Sequence, residues 1–245
     1  MLYILDDGPG TSSILAVSLD GQLVAELGVD GFEGYDTEAL AVGECEPGGG
    51  PTCIYIGDIG DNLAARDGIV VYRIEEPDLS RGGPDSPLVP AAIHLRYPSG
   101  PVDAEALLVE AGVPYIVTKQ AAEADGAGRA RLYSAPGFSD GDLIDLGEVA
   151  VPEPAFALVR SVAGNVVTAG DSRPGRVLLR TYDHVVEYIA EDPGAPLSQF
   201  PQWPVREVES VRQQQGEAIA YLADECGYAL VSEASGEIWT AGCGR

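Results

Sequence analysis

The stretch Tyr35-Asp-Thr-Glu-Ala-Leu-Ala-Val42 decides the fold, because the same pattern returns twice further along the chain. Its copies are Val102-Asp-Ala-Glu-Ala-Leu-Leu-Val109 and Gln215-Gly-Glu-Ala-Ile-Ala-Tyr-Leu222. Each copy has a glutamate followed by an alanine and an aliphatic residue, and each leads into further short apolar segments. Self-similarity of this kind is typical of repeat architectures, in which every unit is one small group of strands.

Short strands of two-residue alternation follow each copy, and helical periodicity is nearly absent. The predicted second strands are 54–58, 115–119 and 229–233, the third strands 69–74, 131–134 and 237–240, and the fourth strands 91–97 and 143–149. Two weaker units precede and separate these repeats. The first unit has no first strand, the fourth lacks the glutamate, and the last has no fourth strand.

Four strands per unit are typical of propeller blades. We therefore predict an all-β fold, a β-propeller of five four-stranded blades in one domain, with a ring that is incomplete at the N-terminus. The predicted blades are 1–30, 35–99, 102–150, 154–208 and 215–245. A six-bladed propeller and a β-sandwich remain alternatives.

The charge of the chain limits the classes of partner. The 39 Asp and Glu residues outnumber the 14 Lys and Arg residues, and the formal net charge is −25. Such a surface repels phosphate backbones and anionic headgroups, so we expect no nucleic-acid partner, and it favours cations. No apolar run approaches the roughly 18 residues that a membrane span needs, so we expect no membrane insertion. The expected partner is a protein or a small-molecule ligand, and the acidity also fits a solubility device or a salt adaptation.

The four cysteines form two close pairs in the sequence. We predict the disulfides Cys45–Cys53 and Cys226–Cys243, because each would join the ends of a hairpin or loop. A zinc site is the competing interpretation, but no CxxC spacing occurs. Disulfides indicate an extracellular or periplasmic protein. A predicted strand follows Met1 at once, so either the leader is absent from this chain or the protein is not exported.

The repeated glutamates are the main candidate site. The first strand of each propeller blade lines the centre, so Glu38, Glu105 and Glu217 are predicted to approach one another. Their repulsion must be offset by a cation, by bound protons, or by pairing with Lys119 and Arg180. Among cations, calcium fits hard oxygen ligands better than zinc does. In the alternative interpretation, each glutamate caps a neighbouring backbone or pairs with a local arginine.

A second candidate site follows an apolar strand, in Gly57-Asp-Ile-Gly-Asp-Asn62. Here Asp58, Asp61 and Asn62 offer three oxygen-bearing side chains around a glycine turn, which predicts a cation ligand set. An Asx-turn, in which the carboxylates cap backbone amides, explains the same residues.

The predicted second strands end in charged groups. Besides Asp58 these are Asp6, Lys119, Arg180 and Glu233, one in each blade. This pattern predicts a charge network around the centre, with structural counter-ions as the alternative.

Several of these motifs together resemble a group of uncharacterised secreted bacterial β-propeller proteins. The resemblance lies in Asp36-Thr-Glu-Ala-Leu-Ala, Gly57-Asp-Ile-Gly-Asp-Asn62, Val71-Tyr-Arg-Ile-Glu-Glu-Pro77, Asp103-Ala-Glu-Ala-Leu-Leu and Gln215-Gly-Glu-Ala-Ile-Ala-Tyr221. More distantly, the chain is similar to phytase-like and SdiA-regulated propeller domains. The resemblance implies a propeller that binds calcium.

Three functions fit these patterns. The first is an extracellular binding or scaffold module with an acidic, calcium-binding centre. The second is a metal-dependent hydrolase of phosphoesters or lactones, in which Glu38, Asp58, Glu105 and Glu217 would hold the metal or act as base. In that enzyme Lys119 and Arg180 would stabilise developing negative charge. The third is a structural subunit of a surface assembly. No nucleophile or catalytic triad distinguishes the three.

Overall fold

The computed structural model describes residues 1–80, 82–119, 128–153, 166–223 and 227–242. The chain is an all-β, five-bladed β-propeller, in which each of five sheets is one blade. The five blades predicted from the repeats are confirmed. In the part of the chain that the structure describes, no helix is both long and apolar enough to cross a membrane.

The first two blades are formed by residues 2–96 and one short later strand. Blade one has three strands in chain order: β1 (Leu2–Leu5), β2 (Ser13–Val17) and β3 (Leu23–Gly28). Blade two has four antiparallel strands: β4 (Thr37–Glu44), β5 (Thr52–Asp58), β6 (Ile69–Glu75) and β7 (Ala91–Arg96). A two-residue strand that the repeats did not predict, Gly141–Asp142, pairs in parallel with β7 at the edge of blade two.

Blades three to five follow the same plan. Blade three contains β8 (Ala104–Glu110), β9 (Val113–Thr118), β10 (Gly128–Ser134) and β12 (Ile144–Val151). The short strand Gly141–Asp142, which pairs with blade two, is β11. Blade four contains β13 (Val167–Arg173), β14 (Arg176–Thr181), β15 (Val185–Ile189) and β16 (Val205–Val208), with a 3-10 helix at Leu197–Gln202 before its last strand. Blade five contains β17 (Gly216–Tyr221), β18 (Tyr228–Ser232) and β19 (Ile238–Ala241). Among the described residues, blades one and five therefore have three strands, as predicted.

Local sequence explains how these strands form. Residues 53–58 of β5 are all buried, which fits their nearly continuous apolar run, whereas β4 alternates buried residues with more accessible ones. The β8–β9 hairpin turns at Ala111 and Gly112, whose φ angles are 51° and 77°. Two successive positive φ angles define the tight turn that matches the twist of antiparallel strands. A side chain at Gly112 would also lie 2.7 Å from the Cys45 carbonyl oxygen, so glycine is required there.

Contacts divide the chain into two compact units. Unit 1 contains residues 1–103, 109–114 and 135–144, and unit 2 contains residues 104–108, 115–134 and 145–245. In unit 1, Ile14 and Leu27 of blade one pack in one cluster with Ile54 and Ile56 of blade two. In unit 2, a second cluster joins blades four and five, and it includes Leu178, Val185, Ile219, Tyr228 and Leu230. Burial of these aliphatic side chains is the main source of stability within each unit.

Candidate functional site

Bulges in the first strands set the direction of the repeated acids. The pairing of β4 with β5 skips Glu38, and the pairing of β17 with β18 skips Glu217. A β-bulge bends its strand and redirects the extra side chain. In blade four the pairing of β13 with β14 skips Thr168 in the same way. The blade that lacks the glutamate therefore carries a threonine at that position, and its hydroxyl donates to the Gly216 carbonyl at 2.8 Å.

In unit 1, four carboxyl groups and one guanidinium form what we call the acidic cluster: Asp36, Glu38, Asp58, Asp103 and Arg66. Asp58 is 4% exposed at the end of β5, where its Oδ1 accepts from the Asp36 backbone N–H at 3.0 Å and from Arg66 Nη1 at 2.9 Å. Arg66 Nη1 also donates to the Gly60 carbonyl at 2.7 Å. Arg66 is therefore the cation that pairs with Asp58 in this cluster.

Asp36 and Glu38 are hydrogen-bonded to each other through their side chains. Burial raises the pKa of the Asp36 carboxyl, and the charge of Asp103 adds to this, while the bond with Glu38 and the Arg66 charge act in the opposite direction. The backbone of Gly60 lies against both groups. A side-chain carbon on Gly60 would lie 2.6 Å from Asp36 Oδ2 and 2.7 Å from Glu38 Oε1, so only glycine fits beneath the pair.

The turn after β5 places its three predicted ligands in different environments. Asp61 is buried, and its two oxygens accept from the backbone N–H groups of Ala65 and Arg66 at 2.8 and 2.9 Å. The Asp61 N–H in turn donates to Asp103 Oδ1 at 2.7 Å, which joins the turn to the acidic cluster. Asn62 is exposed. Asp61 therefore caps backbone amides, as in the Asx-turn interpretation.

A cavity of about 220 Å³ lies beside the acidic cluster in unit 1. Asp61 and Arg66 line it together with Asp67, Ile69 and Tyr97. The Arg66 guanidinium also lies 5.0 Å from the centroid of the Tyr35 ring, and the Tyr35 side chain is well exposed. One arginine thus contacts the acidic cluster, the cavity and an exposed aromatic ring.

In unit 2, the other two repeated glutamates have cationic or phenolic partners. Glu105 is buried and forms an ion pair with Lys119, whose side chain is 21% exposed. Tyr182 donates its hydroxyl to Glu217 Oε1 at 2.8 Å. Burial and that hydrogen bond raise the pKa of Tyr182. The negative charges of Glu217 and Glu105 also raise this pKa, whereas the positive charge of Lys119 lowers it. The structure therefore brings Glu105, Lys119 and Glu217 together in unit 2.

Arg180 is a buried structural group, at 3% exposure. Its Nη1 donates to the carbonyls of Ala218 at 2.8 Å and Val231 at 3.0 Å, and its Nη2 donates to Gln213 Oε1 at 2.8 Å. Burial lowers the pKa of Arg180 to about 10, so the guanidinium remains charged at neutral pH. A side-chain carbon on Gly216 would lie 2.1 Å from Arg180 Nη2, which explains why this repeat has glycine where the others have threonine and alanine.

The remaining predicted site residues lie at the surface. Asp6 is exposed and accepts from the Gly8 N–H at 2.8 Å, and Glu233 is exposed and accepts from Gln215 Nε2 at 3.1 Å. The last residues of the second strands do not occupy equivalent positions. Asp58 of β5 pairs with Thr37, just before the bulge at Glu38. Arg180 of β14 pairs with Ala169, just after the bulge at Thr168.

None of the described cysteines and histidines is a member of the acidic cluster. The Cys45–Cys53 disulfide is confirmed, and Cys226 and Cys243 lie outside the described residues. His184 is buried, with Nδ1 on the Thr181 hydroxyl and Nε2 on a backbone carbonyl. His94 lies on the surface next to Asp140.

A half-buried aspartate in blade four was not predicted from the sequence. Asp171 accepts from the N–H groups of Ser172 and Tyr221, both at 2.7 Å, and so holds the end of β17. Burial raises the pKa of Asp171 to about 6, although both backbone hydrogen bonds act in the opposite direction.

The sequence contained a signal for part of the acidic cluster. Asp36 and Asp103 both stand two positions before a repeated glutamate, and this spacing could have identified them. Arg66 and Tyr182 carry no comparable pattern. They reach their partners only through the loops after β5 and β14.

Comparison with known proteins gives little further information. No family model matches the chain, and a search of curated proteins found no match. A solved structure of a protein from Lactobacillus plantarum is similar, with 10% sequence identity and a TM-score of 0.42 over 98% of this chain. The chain spans 63% of that protein's length. The resemblance to secreted bacterial propellers therefore stays a prediction.

Proposed function

We propose that this protein is an extracellular β-propeller binding module whose acidic cluster holds a calcium ion. The observation that carries the proposal is the hydrogen-bonded carboxyl pair Asp36–Glu38, with Asp58 and Asp103 beside it and Arg66 paired with Asp58. Two carboxyl groups share a hydrogen bond only while one of them keeps its proton. A divalent cation replaces that proton and neutralises both groups.

The chemistry of the donor set favours calcium over zinc. The cluster offers only carboxylate and carbonyl oxygens, which are hard ligands, and its flexible side chains suit the variable coordination of calcium. The net charge of −25 raises the local concentration of cations in addition. Asp36 and Glu38 would be the first protein ligands, because Asp58 is paired with Arg66 and both oxygens of Asp61 accept from backbone amides. Asp103 would add its Oδ2, since its Oδ1 accepts from the Asp61 N–H.

The cavity beside the cluster supports a binding role. Arg66 presents a cation to the cavity, and Tyr97 and Ile69 supply apolar surface. The exposed Tyr35 and Leu63, at 68% and 89% exposure, lie in the segments just before β4 and after β5. Exposed aromatic and aliphatic side chains next to a polar cavity are typical of ligand or protein recognition. The Cys45–Cys53 disulfide supports an oxidising compartment.

The two alternatives have weaker support. A hydrolase would need Arg180 and Lys119 to contact a substrate, but Arg180 is buried against backbone carbonyls and Lys119 pairs with Glu105. No contact among the described residues favours a structural subunit over a binding module.

Calcium titration tests the proposal. Metal-free protein is titrated with CaCl₂ by calorimetry at pH 7.5 and 5.5, as wild type and as Asp36→Asn, Glu38→Gln and the control Glu148→Gln. Glu148 belongs to an exposed ion pair with Arg129 and is not a member of the cluster, so its variant matches the loss of one carboxylate. We expect wild type and the control to bind calcium with proton release, about tenfold more weakly at pH 5.5. The two cluster variants should lose at least about tenfold in affinity.

The stability of the metal-free variants separates loss of binding from loss of folding. Asp36→Asn replaces the carboxyl by an amide that can still donate a hydrogen bond to Glu38, so its metal-free melting temperature should equal or exceed that of wild type. The proposal would be falsified if wild-type protein showed no heat of calcium binding and no change of melting temperature when calcium is added. Equal calcium affinity in all four proteins would place the ion elsewhere.

A further inference from the structure

Two consecutive residues of opposite charge, Arg66 and Asp67, line the cavity of unit 1. They form no ion pair with each other, because the Arg66 guanidinium pairs with Asp58 instead. Asp67 is exposed, and its carboxylate has no hydrogen bond or ion pair with any other described residue. One small cavity is therefore bordered by a positive and a negative group that do not neutralise each other.

Contacts on one side of Arg66 hold its guanidinium in place. Nη1 donates to Asp58 Oδ1 at 2.9 Å and to the Gly60 carbonyl at 2.7 Å, and the Tyr35 ring centroid lies 5.0 Å away. Nε and Nη2 donate to no group in the part of the chain that the structure describes. These two nitrogens form the edge of a guanidinium that can bind a carboxylate through two parallel hydrogen bonds. Because Arg66 is already fixed, a ligand carboxylate would pay little to order it.

The rest of the cavity is small and mostly apolar. Ile69 and Tyr97 are buried, so they form a fixed apolar wall. Asp61 also lines the cavity, but both of its oxygens accept from backbone amides. The volume of about 220 Å³ equals that of about seven water molecules in the liquid, at roughly 30 Å³ each. The cavity therefore has room for one small molecule with an apolar part and not for a peptide.

We propose that this cavity binds a free α-amino acid with an aliphatic side chain. The ligand carboxylate pairs with Nε and Nη2 of Arg66, and the ligand ammonium pairs with Asp67. The aliphatic side chain packs against Ile69 and Tyr97. A ligand with only a negative charge would be repelled by Asp67, and a ligand with only a positive charge would be repelled by Arg66. This inference rests on the binding role proposed above, but it does not depend on the calcium ion.

Calorimetric titration of calcium-free wild-type protein with three related ligands tests the proposal. Leucine carries both charges, isocaproate lacks the ammonium, and isoamylamine lacks the carboxylate, while all three have the same branched alkyl group. We expect leucine to bind at least about tenfold more tightly than either of the other two, because each charged pair supplies charge-assisted hydrogen bonds. The dipeptide leucylleucine exceeds the cavity, so it should also bind at least about tenfold more weakly than leucine.

Variants of the two charged residues locate the ligand. Asp67→Asn removes one carboxylate from the cavity, and its matched control is Asp142→Asn, in a pair with Arg96 whose side chains are 67% and 69% exposed. We expect Asp67→Asn to bind leucine at least about tenfold more weakly and isocaproate at least as tightly as wild type, with the control unchanged. Arg66→Met should lose affinity for leucine and isocaproate alike. Because Arg66 also pairs with Asp58, the melting temperature of this variant is measured in parallel.

Three results would overturn the proposal, and none requires Arg66→Met to fold. The first is the absence of leucine heat in wild-type protein at up to about 10 mM ligand. The second is equal affinity for leucine and isocaproate, which would show that the ammonium is not recognised. The third is equal leucine affinity in Asp67→Asn and wild type, which would place the ligand elsewhere.

The calcium titration described above is independent of these measurements. Leucine binding by a protein that binds no calcium would support the amino-acid site and overturn only the calcium proposal. Calcium binding without leucine heat would overturn only the amino-acid site.

Discussion

Replacement of Arg180 by methionine is expected to unfold the protein more easily without touching the acidic cluster. Methionine has a similar length but no donors, so Arg180→Met leaves the Ala218 and Val231 carbonyls and the Gln213 side chain without their partner. Gln213 is buried and Val231 is half-buried, so the loss of their donor costs about 1–2 kcal/mol each, which gives a loss of about 2–4 kcal/mol in the free energy of unfolding. For a chain of this size, that corresponds to a fall in melting temperature of roughly 10 °C.

The matched control is Arg96→Met. Arg96 and its partner Asp142 are 69% and 67% exposed, so this variant removes the same charge from an exposed pair and should lose less than about 1 kcal/mol. Urea unfolding at pH 7 measures both free energies, and thermal scans measure both melting temperatures. If Arg180→Met is as stable as Arg96→Met, the contacts of Arg180 do not stabilise blade five. The guanidinium would then be available to a ligand, and the structural interpretation would be wrong.

Three further variants test other parts of the fold. Replacement of Cys45 and Cys53 together by serine removes a cross-link between residues eight positions apart, and urea unfolding should show a loss of about 2–3 kcal/mol; a loss below about 0.5 kcal/mol would contradict this role. Lys119→Met removes the cation that pairs with the buried Glu105 carboxylate, so urea unfolding at pH 7 should show a loss of about 3 kcal/mol in the free energy of unfolding. A loss below about 1 kcal/mol would argue against an ionic role for Lys119. Folding raises the pKa of Asp171 from 3.8 to about 6, so the native state binds more protons than the unfolded state between these values. The contribution of Asp171 to the free energy of unfolding should therefore be largest below pH 4 and fall by about 2 kcal/mol as the pH rises to 6. Wild type should show this fall relative to Asp171→Asn, and parallel pH curves would show that Asp171 does not titrate in this range.

The repeated Glu-Ala-aliphatic stretches were sufficient to predict the propeller, because strand alternation and repeat spacing are local properties of the chain. The pairing of Cys45 with Cys53 was equally local, since the two residues enclose one short loop. The β-bulges were not predicted. A bulge depends on the register between two strands, and a register offset of one residue leaves no mark in either strand alone.

The candidate site shows the same difference between what is local in the sequence and what depends on contacts in the fold. The sequence identified Glu38, Glu105 and Glu217 as equivalent residues, but their environments differ in the structure. Glu105 has Lys119 and Glu217 has Tyr182, whereas Glu38 has the carboxyl of Asp36. Partners on other strands or loops decide whether a repeated acid is neutralised, and repetition by itself contains no information about those partners.

The amino-acid sequence by itself determined the class of fold, the number of blades, the positions of the acids and the one disulfide that is described. The tertiary structure decided which group each acid contacts. In unit 1 Arg66 pairs with Asp58, and Glu38 lies beside the carboxyl of Asp36. In unit 2 Glu105 pairs with Lys119, and Glu217 accepts a hydrogen bond from Tyr182. The physical reason is that local alternation fixes the face of a strand on which a side chain lies, whereas its charge balance depends on groups tens of residues away that only folding brings into contact.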